Sequence, residues 1–238
     1  MADYSVLPAG DTALVVDFGN RVDLKLSAKV LALARRLDTL KLAGVIETVP
    51  TIRSLSVYYE PLSISTNALQ DTILEILGDL QDTEVSGRTC QIPVCYSPEL
   101  APDLNDVAER CNLSPAQVIE MHSSQTYHVY MLGFLPGLAY LGDLPAELAL
   151  PRRNTPRPRV PAGSLGIGGT MTCIYPLATP CGWHVIGRSP VALWDRRRER
   201  GALLTAGDKV KFNPVSMPEY ERLSSDTSIW LAQSQSSH

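Results

Sequence analysis

The sequence predicts an α+β protein of two domains: a small ferredoxin-like α/β domain over residues 1–85, then a β-barrel or sandwich over 86–238. Three observations carry this reading. Residues 1–87 hold 7 basic and 12 acidic side chains, whereas residues 88–238 hold 14 and 13. Of the 18 prolines 15 fall between Pro93 and Pro218, and of the 16 glycines 11 fall between Gly133 and Gly207. Helical stripes in the first half give way to short β-prone runs between turns in the second.

In the first half, Thr12 to Asp17 is a β-rich run ended by Gly19. The apolar residues Leu26, Val30, Leu33, Leu37 and Leu40 step by four and three, the stripe of an amphipathic helix, with Gly44 as its stop. Val45 to Val49 and Leu55 to Tyr59 read as strands around Pro50. A second stripe, Leu69, Ile73, Ile76 and Leu80, has Ser65 or Thr66 as N-cap. With Arg88 to Val94 as a further strand the order is βαββαβ, the split βαβ arrangement of ferredoxin-like folds.

The second half opens with two short helices. One covers Asp103 to Cys111; the other starts at Ser114-Pro115-Ala116-Gln117, a capping box with proline at the first helical position. Beyond His122, six runs read as short strands: Tyr127 to Leu132, Ser164 to Ile167, Met171 to Tyr175, His184 to Ile186, Ala192 to Trp194 and Lys209 to Phe212.

Composition excludes several function classes. The 238 residues are 45% apolar, enough for a sizeable core. A net charge of −4 argues against a globally basic nucleic-acid binder. No secretory signal is visible after Met1, and the apolar run Leu132 to Leu141 is cut by Gly133, Pro136 and Gly137, short of the ~18 residues of a membrane span. Five cysteines without a Cys-x-x-Cys pair fit free thiols in a reducing cytosol, so a cytoplasmic location is expected.

Familiar catalytic signatures are missing. There is no P-loop, no His-Glu-x-x-His and no Gly-x-Ser-x-Gly, and His122, His128, His184 and His238 lack metal-ligand spacing, so no metal site is expected and no catalytic residue is assigned. One feature stands out: residues 148–194 carry five arginines and no carboxylate. Arg152, Arg157 and Arg188 offer forks for an anion, and the glycine-rich run holding Gly163, Ser164 and Gly166 offers backbone N–H groups. The same residues also read as barrel turns with a solvated arginine rim. His128 reads either as a hydrogen-bonded strand residue or as an acid–base group. The run Arg196-Arg197-Arg198 reads as a solvated turn.

The stretch from Tyr127 to Asp195 resembles the signature of the allophanate hydrolase subunit 1 family. Its aromatic-Gly-Pro turn falls on Gly133, Phe134, Pro136, Gly137 and Tyr140, and its Pro-Arg pairs on Pro151-Arg152 and Pro156-Arg157. Its Val-Pro-Ala-Gly-Ser loop falls on Val160 to Ser164, and its Trp-x-x-Ile-Gly-Arg element on Trp183 to Arg188. Two positions depart from the pattern. Met171-Thr172-Cys173 stands where Gln-Thr-Gly is usual, and Cys181 replaces a glycine before Gly182-Trp183, so a potential amide-binding glutamine becomes a thioether.

The resemblance implies a cyclophilin-like barrel behind the N-terminal domain. It further implies a subunit of an ATP-dependent 5-oxoprolinase, with Mg2+-ATP bound by the complex and companion subunits A and C as partners. Two other activities occur within the family: inhibition of a sensor histidine kinase, and a role in urea or allophanate amidolysis.

Overall fold

The computed structural model describes residues 4–80 and 87–225, in two compact units, Met1–Ser86 and Gly87–His238. The boundary expected at residues 85–86 and the terminal His238 lie outside the described residues.

The first unit runs β1 (Ser5–Pro8), β2 (Ala13–Asp17), α1 (Leu24–Leu40), β3 (Val45–Pro50), β4 (Ser54–Tyr59) and α2 (Thr66–Asp79). The stripes drive its assembly: Val30, Leu33 and Leu37 of α1 and Leu69, Ile73 and Ile76 of α2 pack on Leu14, Val16, Leu55 and Val57 of the sheet. Each helix is started by a side chain: Asp23 accepts from the Lys25 and Leu26 N–H groups (2.8 and 3.2 Å) and Ser65 from the Ala68 N–H (3.2 Å). Leu40 falls off the buried stripe and is 42% exposed, because the helix ends on Lys41, which turns left-handed at φ 46°.

The expected βαββαβ order is corrected by the sheet topology. The strand order is β1-β2-β4-β3, antiparallel throughout. The position that a strand after α2 would fill is taken by β1, folded back on β2 as a hairpin. The strand read at Arg88 to Val94 exists as β5 (Thr89–Val94) but pairs in parallel with β13 (Lys209–Pro214) in the second unit.

In the second unit α3 (Leu104–Arg110) and α4 (Pro115–Ser124) follow β5, and α4 opens with the capping box read in the sequence. Then come β6 (Thr126–Leu132), β7 (Ala139–Gly142), β8 (Arg157–Val160), β9 (Ser164–Gly168), β10 (Met171–Ile174), β11 (Thr179–Cys181), β12 (His184–Arg188), β13 and α5 (Met217–Ser225). Seven strands form one sheet in the order β12-β9-β10-β7-β6-β13-β5, and β8 pairs with β11 separately. The two outermost strands meet: Cys95, just past β5, bridges Arg188 through N–H···O bonds of 2.8 and 2.9 Å. The sheet is thus curled back on itself, its inner face filled by Val129, Leu141, Leu165, Ile167, Ile174, Ile186, Val210 and Phe212.

Short β7, β8 and β11, interrupted by glycine and proline, escaped the sequence reading. Ala192 to Trp194 is not a strand; Trp194 makes a single bridge to Ala202. All five cysteines are free thiols.

Inside the barrel one polar chain is complete. Thr172 Oγ1 donates to the Gly166 carbonyl (3.0 Å), so it accepts from His122 Nε2 (3.1 Å), and His122 Nδ1 in turn accepts from the Tyr96 hydroxyl (3.0 Å). His122 is fully buried and stacks on Phe212 at 4.9 Å. Burial pulls its pKa down to about 3, which keeps the ring neutral.

Candidate functional site

The arginine-rich stretch folds around a carboxylate from outside it. Asp103 precedes α3 and is 3% exposed, yet its side chain does not cap that helix. Its backbone N–H donates to the Val185 carbonyl (2.9 Å) and its Oδ2 accepts the Val185 N–H (2.7 Å), fastening the start of α3 to β12. Arg157 closes on it with both terminal nitrogens (2.5 and 2.6 Å), and Arg153 adds a third guanidinium contact at 2.9 Å. Burial alone would raise the Asp103 carboxyl. Hydrogen bonds from Arg157 and the Val185 N–H, with the charges of Arg157 and Arg153, outweigh it and hold the group below the usual carboxylate range.

Arg157, read in the sequence as a fork for an incoming anion, is therefore already engaged by a carboxylate, and so is Arg153. The counter-ion is distant in sequence, 54 positions before Arg157, so no local pattern exposed it. The signal that could have found it is the arginine run itself: clustered guanidinium groups without a nearby acid require a carboxylate from elsewhere.

Arg152 is different. It is exposed, and its Cζ lies 5.9 Å from the centroid of the Trp183 ring, within cation–π range. Trp183 is buried edge-on against Tyr140, with centroids 6.1 Å apart, and its ring lies so close to Gly168 that an added Cβ would stand 2.8 Å from it. The 151–156 loop is tied down by Arg153 N–H to the Gly182 carbonyl (2.8 Å) and by His184 Nε2 to the Pro151 carbonyl (3.0 Å). A carbonyl only accepts, so Nε2 carries the proton; the buried Nδ1 has no hydrogen-bond partner and faces Asp106 at 3.7 Å. Arg110 lies beside the same ring at 3.4 Å. Four guanidiniums (Arg110, Arg152, Arg153, Arg157) stand against two carboxylates (Asp103, Asp106) in this patch, so its net charge stays positive.

The other expected site residues are placed elsewhere or used otherwise. Gly163, at φ +82°, donates its N–H to the Tyr175 carbonyl (2.7 Å), and a Cβ there would stand 2.3 Å from the Ser189 carbonyl oxygen. The Ser164 hydroxyl donates to the Pro161 carbonyl (2.8 Å), and Gly166 sits in mid-strand between β10 and β12. Turn and sheet geometry thus engage groups that the sequence offered as an anion cradle. Arg188 pairs with Ser164 at the far end of β9 from Trp183, half-buried, with its Nε lacking any partner. His128 faces Asp143 at 3.3 Å on β6, three strands from β9, or about 14 Å at the usual strand spacing. It does not join the arginine patch.

Met171 and Cys173, the departures from the family pattern, are buried, and burial, aided by neighbouring Cys181, pushes the Cys173 thiol well up. Such a thiol is an inert packing group rather than a nucleophile.

Comparison with known proteins gives a consistent picture. A family model described as carboxyltransferase domain, subdomain C and D, matches residues 4–204. The B subunit of 5-oxoprolinase from Bacillus subtilis is 39% identical over 228 residues, covering 91% of this chain and 95% of that protein. The protein of the same name from Escherichia coli O157:H7 is 41% identical over 206 residues, 86% and 93% of the respective lengths. A urea amidolyase of Lachancea kluyveri is 27% identical, and the match spans 14% of its length. The crystal structure of TTHA0988 superposes with a TM-score of 0.77 at 37% identity, covering 87% of this chain and 40% of that longer one.

Proposed function

This chain belongs to the carboxyltransferase domain family, subdomains C and D, and from that premise we propose that it is the B subunit of an ATP-dependent 5-oxoprolinase, which hydrolyses 5-oxo-L-proline to L-glutamate. The observation that carries the reading is the extent of the match. The Bacillus subtilis 5-oxoprolinase chain is matched over 95% of its own length at 39% identity, against 14% of the urea amidolyase at 27%. On the same reading the second unit is a cyclophilin-like barrel, and residues 1–85 and 86–238 are its two folding domains.

Opening an unstrained lactam requires an activated carbonyl, and phosphorylation of its oxygen by ATP would supply one. The contribution of this chain is charge. Arg152, held over Trp183 by the Asp103 knot and the 151–156 loop, faces the anion that develops on that oxygen, while Arg188, at the end of β12 away from Trp183, offers a separate fork. Arg157 and Arg153 act through Asp103, by holding the loop. Gly163, Ser164 and Gly166 fix the turn and strand behind it. On the same reading Mg2+-ATP is bound by the assembled complex. Companion subunits A and C would hold it.

The test is ATP-dependent glutamate formation from 5-oxoproline by the purified chain, alone and mixed with companion subunits. The expected result is silence alone and turnover in the mixture. Turnover by the lone chain, or none in any mixture, overturns the reading.

A further inference from the structure

Phe134 combines two unfavourable features. Its backbone is left-handed, at φ +70°, a conformation that bulky side chains adopt only under constraint. Its ring is 65% exposed, so little apolar burial within the chain offsets the strain. The turn that imposes this is closed by Gly133 N–H to the Leu138 carbonyl (3.1 Å) and Leu138 N–H to the Leu135 carbonyl (3.0 Å).

A second exposed aromatic packs against the same turn. Gly137, three residues on, packs so tightly that an added Cβ would stand 2.7 Å from Trp194 Cβ and 2.9 Å from the Leu193 carbonyl oxygen. Trp194 is 39% exposed. Its backbone is pinned by the bridge to Ala202, and at Gly201 an added Cβ would stand 2.8 Å from its Nε1. Two large aromatics are therefore displayed from loops locked against each other.

The rim beside them is basic. From Asp195 to Arg200 four arginines stand against two acids. Asp195 is engaged by Arg197 at 2.7 Å, and Arg198 turns inward to the Ala192 carbonyl (2.8 Å), while Arg196 and Arg200 remain exposed.

We propose that Phe134 and Trp194 anchor a docking surface for a companion subunit, which meets them with an apolar socket edged by carboxylates; this rests on the 5-oxoprolinase reading above. Aromatics and arginines are the residue types that dominate interface energies, and ordering them in advance lowers the entropy lost on binding. The basic rim complements acidic edges and speeds encounter. In TTHA0988 the region matched by this chain is 40% of the whole, so there the fold is joined to further polypeptide.

The experiment measures the Kd of the full chain for companion subunits, with thermal unfolding of each variant alongside. Phe134→Gly is decisive, because glycine relieves the left-handed strain while removing the ring. It is expected to weaken binding about 30-fold with Tm unchanged or raised, and Trp194→Ala to weaken it comparably. Added salt should loosen the wild-type complex more than an Arg196→Glu/Arg200→Glu variant. Unchanged Kd in both aromatic variants, with wild type binding, overturns the surface and leaves the functional reading standing. Self-association through these residues without companion binding shows a second copy as occupant and overturns it too. If wild type binds no companion, both fall.

Discussion

Inside the barrel, His122 sits in a neutral chain in which every donor has one acceptor, from the Tyr96 hydroxyl to the Gly166 carbonyl. At the barrel's edge, Asp103 sits in a charged knot with Arg153 and Arg157, each of whose side chains is about a quarter exposed. Both centres place polar groups out of water, by opposite means. The first suppresses ionisation, since burial draws the imidazole pKa down to about 3. The second stabilises it, since guanidinium contacts overcome burial at the carboxyl. The difference shows which region can do chemistry on an anion. A neutral closed chain offers an incoming ligand nothing, whereas the knot uses two arginines to hold a loop and leaves a third exposed over Trp183.

Removing the charge at the knot should have the largest effect. Asp103→Asn keeps an acceptor for the Val185 N–H but leaves two partly buried guanidiniums uncompensated. A loss of about 3 kcal/mol in urea unfolding is expected. A loss below about 1 kcal/mol would mean that the knot is a surface ion pair, and the contrast with His122 would collapse.

The two centres also separate by pH. The folded pKa of His122 is depressed from 6.5 to about 3, so its contribution is present above pH 6.5 and is lost as pH falls. Lowering pH from 6.5 to 5 should destabilise the protein by about 2 kcal/mol through this ring. Asp103 is depressed below its ordinary value of 3.8, so its contribution persists through that window and fades only at lower pH. His122→Gln should flatten the loss between pH 7 and 5 while leaving the acid limb in place. An unaltered slope in that variant would show that another group titrates.

The smallest stability effect distinguishes the arginines. Arg157→Ala should cost about 1–2 kcal/mol, reduced by its partial exposure. Arg152→Ala should cost no more than about 0.5–1 kcal/mol. In reconstituted 5-oxoprolinase the order is expected to invert per unit of folded protein: Arg152→Ala lowers turnover roughly 10- to 100-fold, the value of one charge-assisted contact. Full activity in Arg152→Ala would remove it from the site.

Local features were legible wherever they were set by neighbours in the chain. The α1 and α2 stripes, the Ser65 cap and the Ser114 capping box depend on contacts three or four residues apart, and all appear in the structure. The acid-free arginine stretch was legible as a charge anomaly, but not which of its arginines stays exposed. Short β7, β8 and β11 gave too few alternating positions to register.

By itself, then, the sequence determined the first four helices, the Ser65 and Ser114 caps, most barrel strands and the location of excess positive charge, because each follows from short-range periodicity or composition, whereas α5 and the Asp23 cap went unread. Tertiary structure decided three things. It assigned β5 to a parallel partner more than a hundred residues away, it gave the open position in the first sheet to β1, and it set Asp103 against Arg157 rather than Arg152. Strand pairing and buried ion pairing depend on which groups meet after the chain has folded, and that proximity has no period along the sequence.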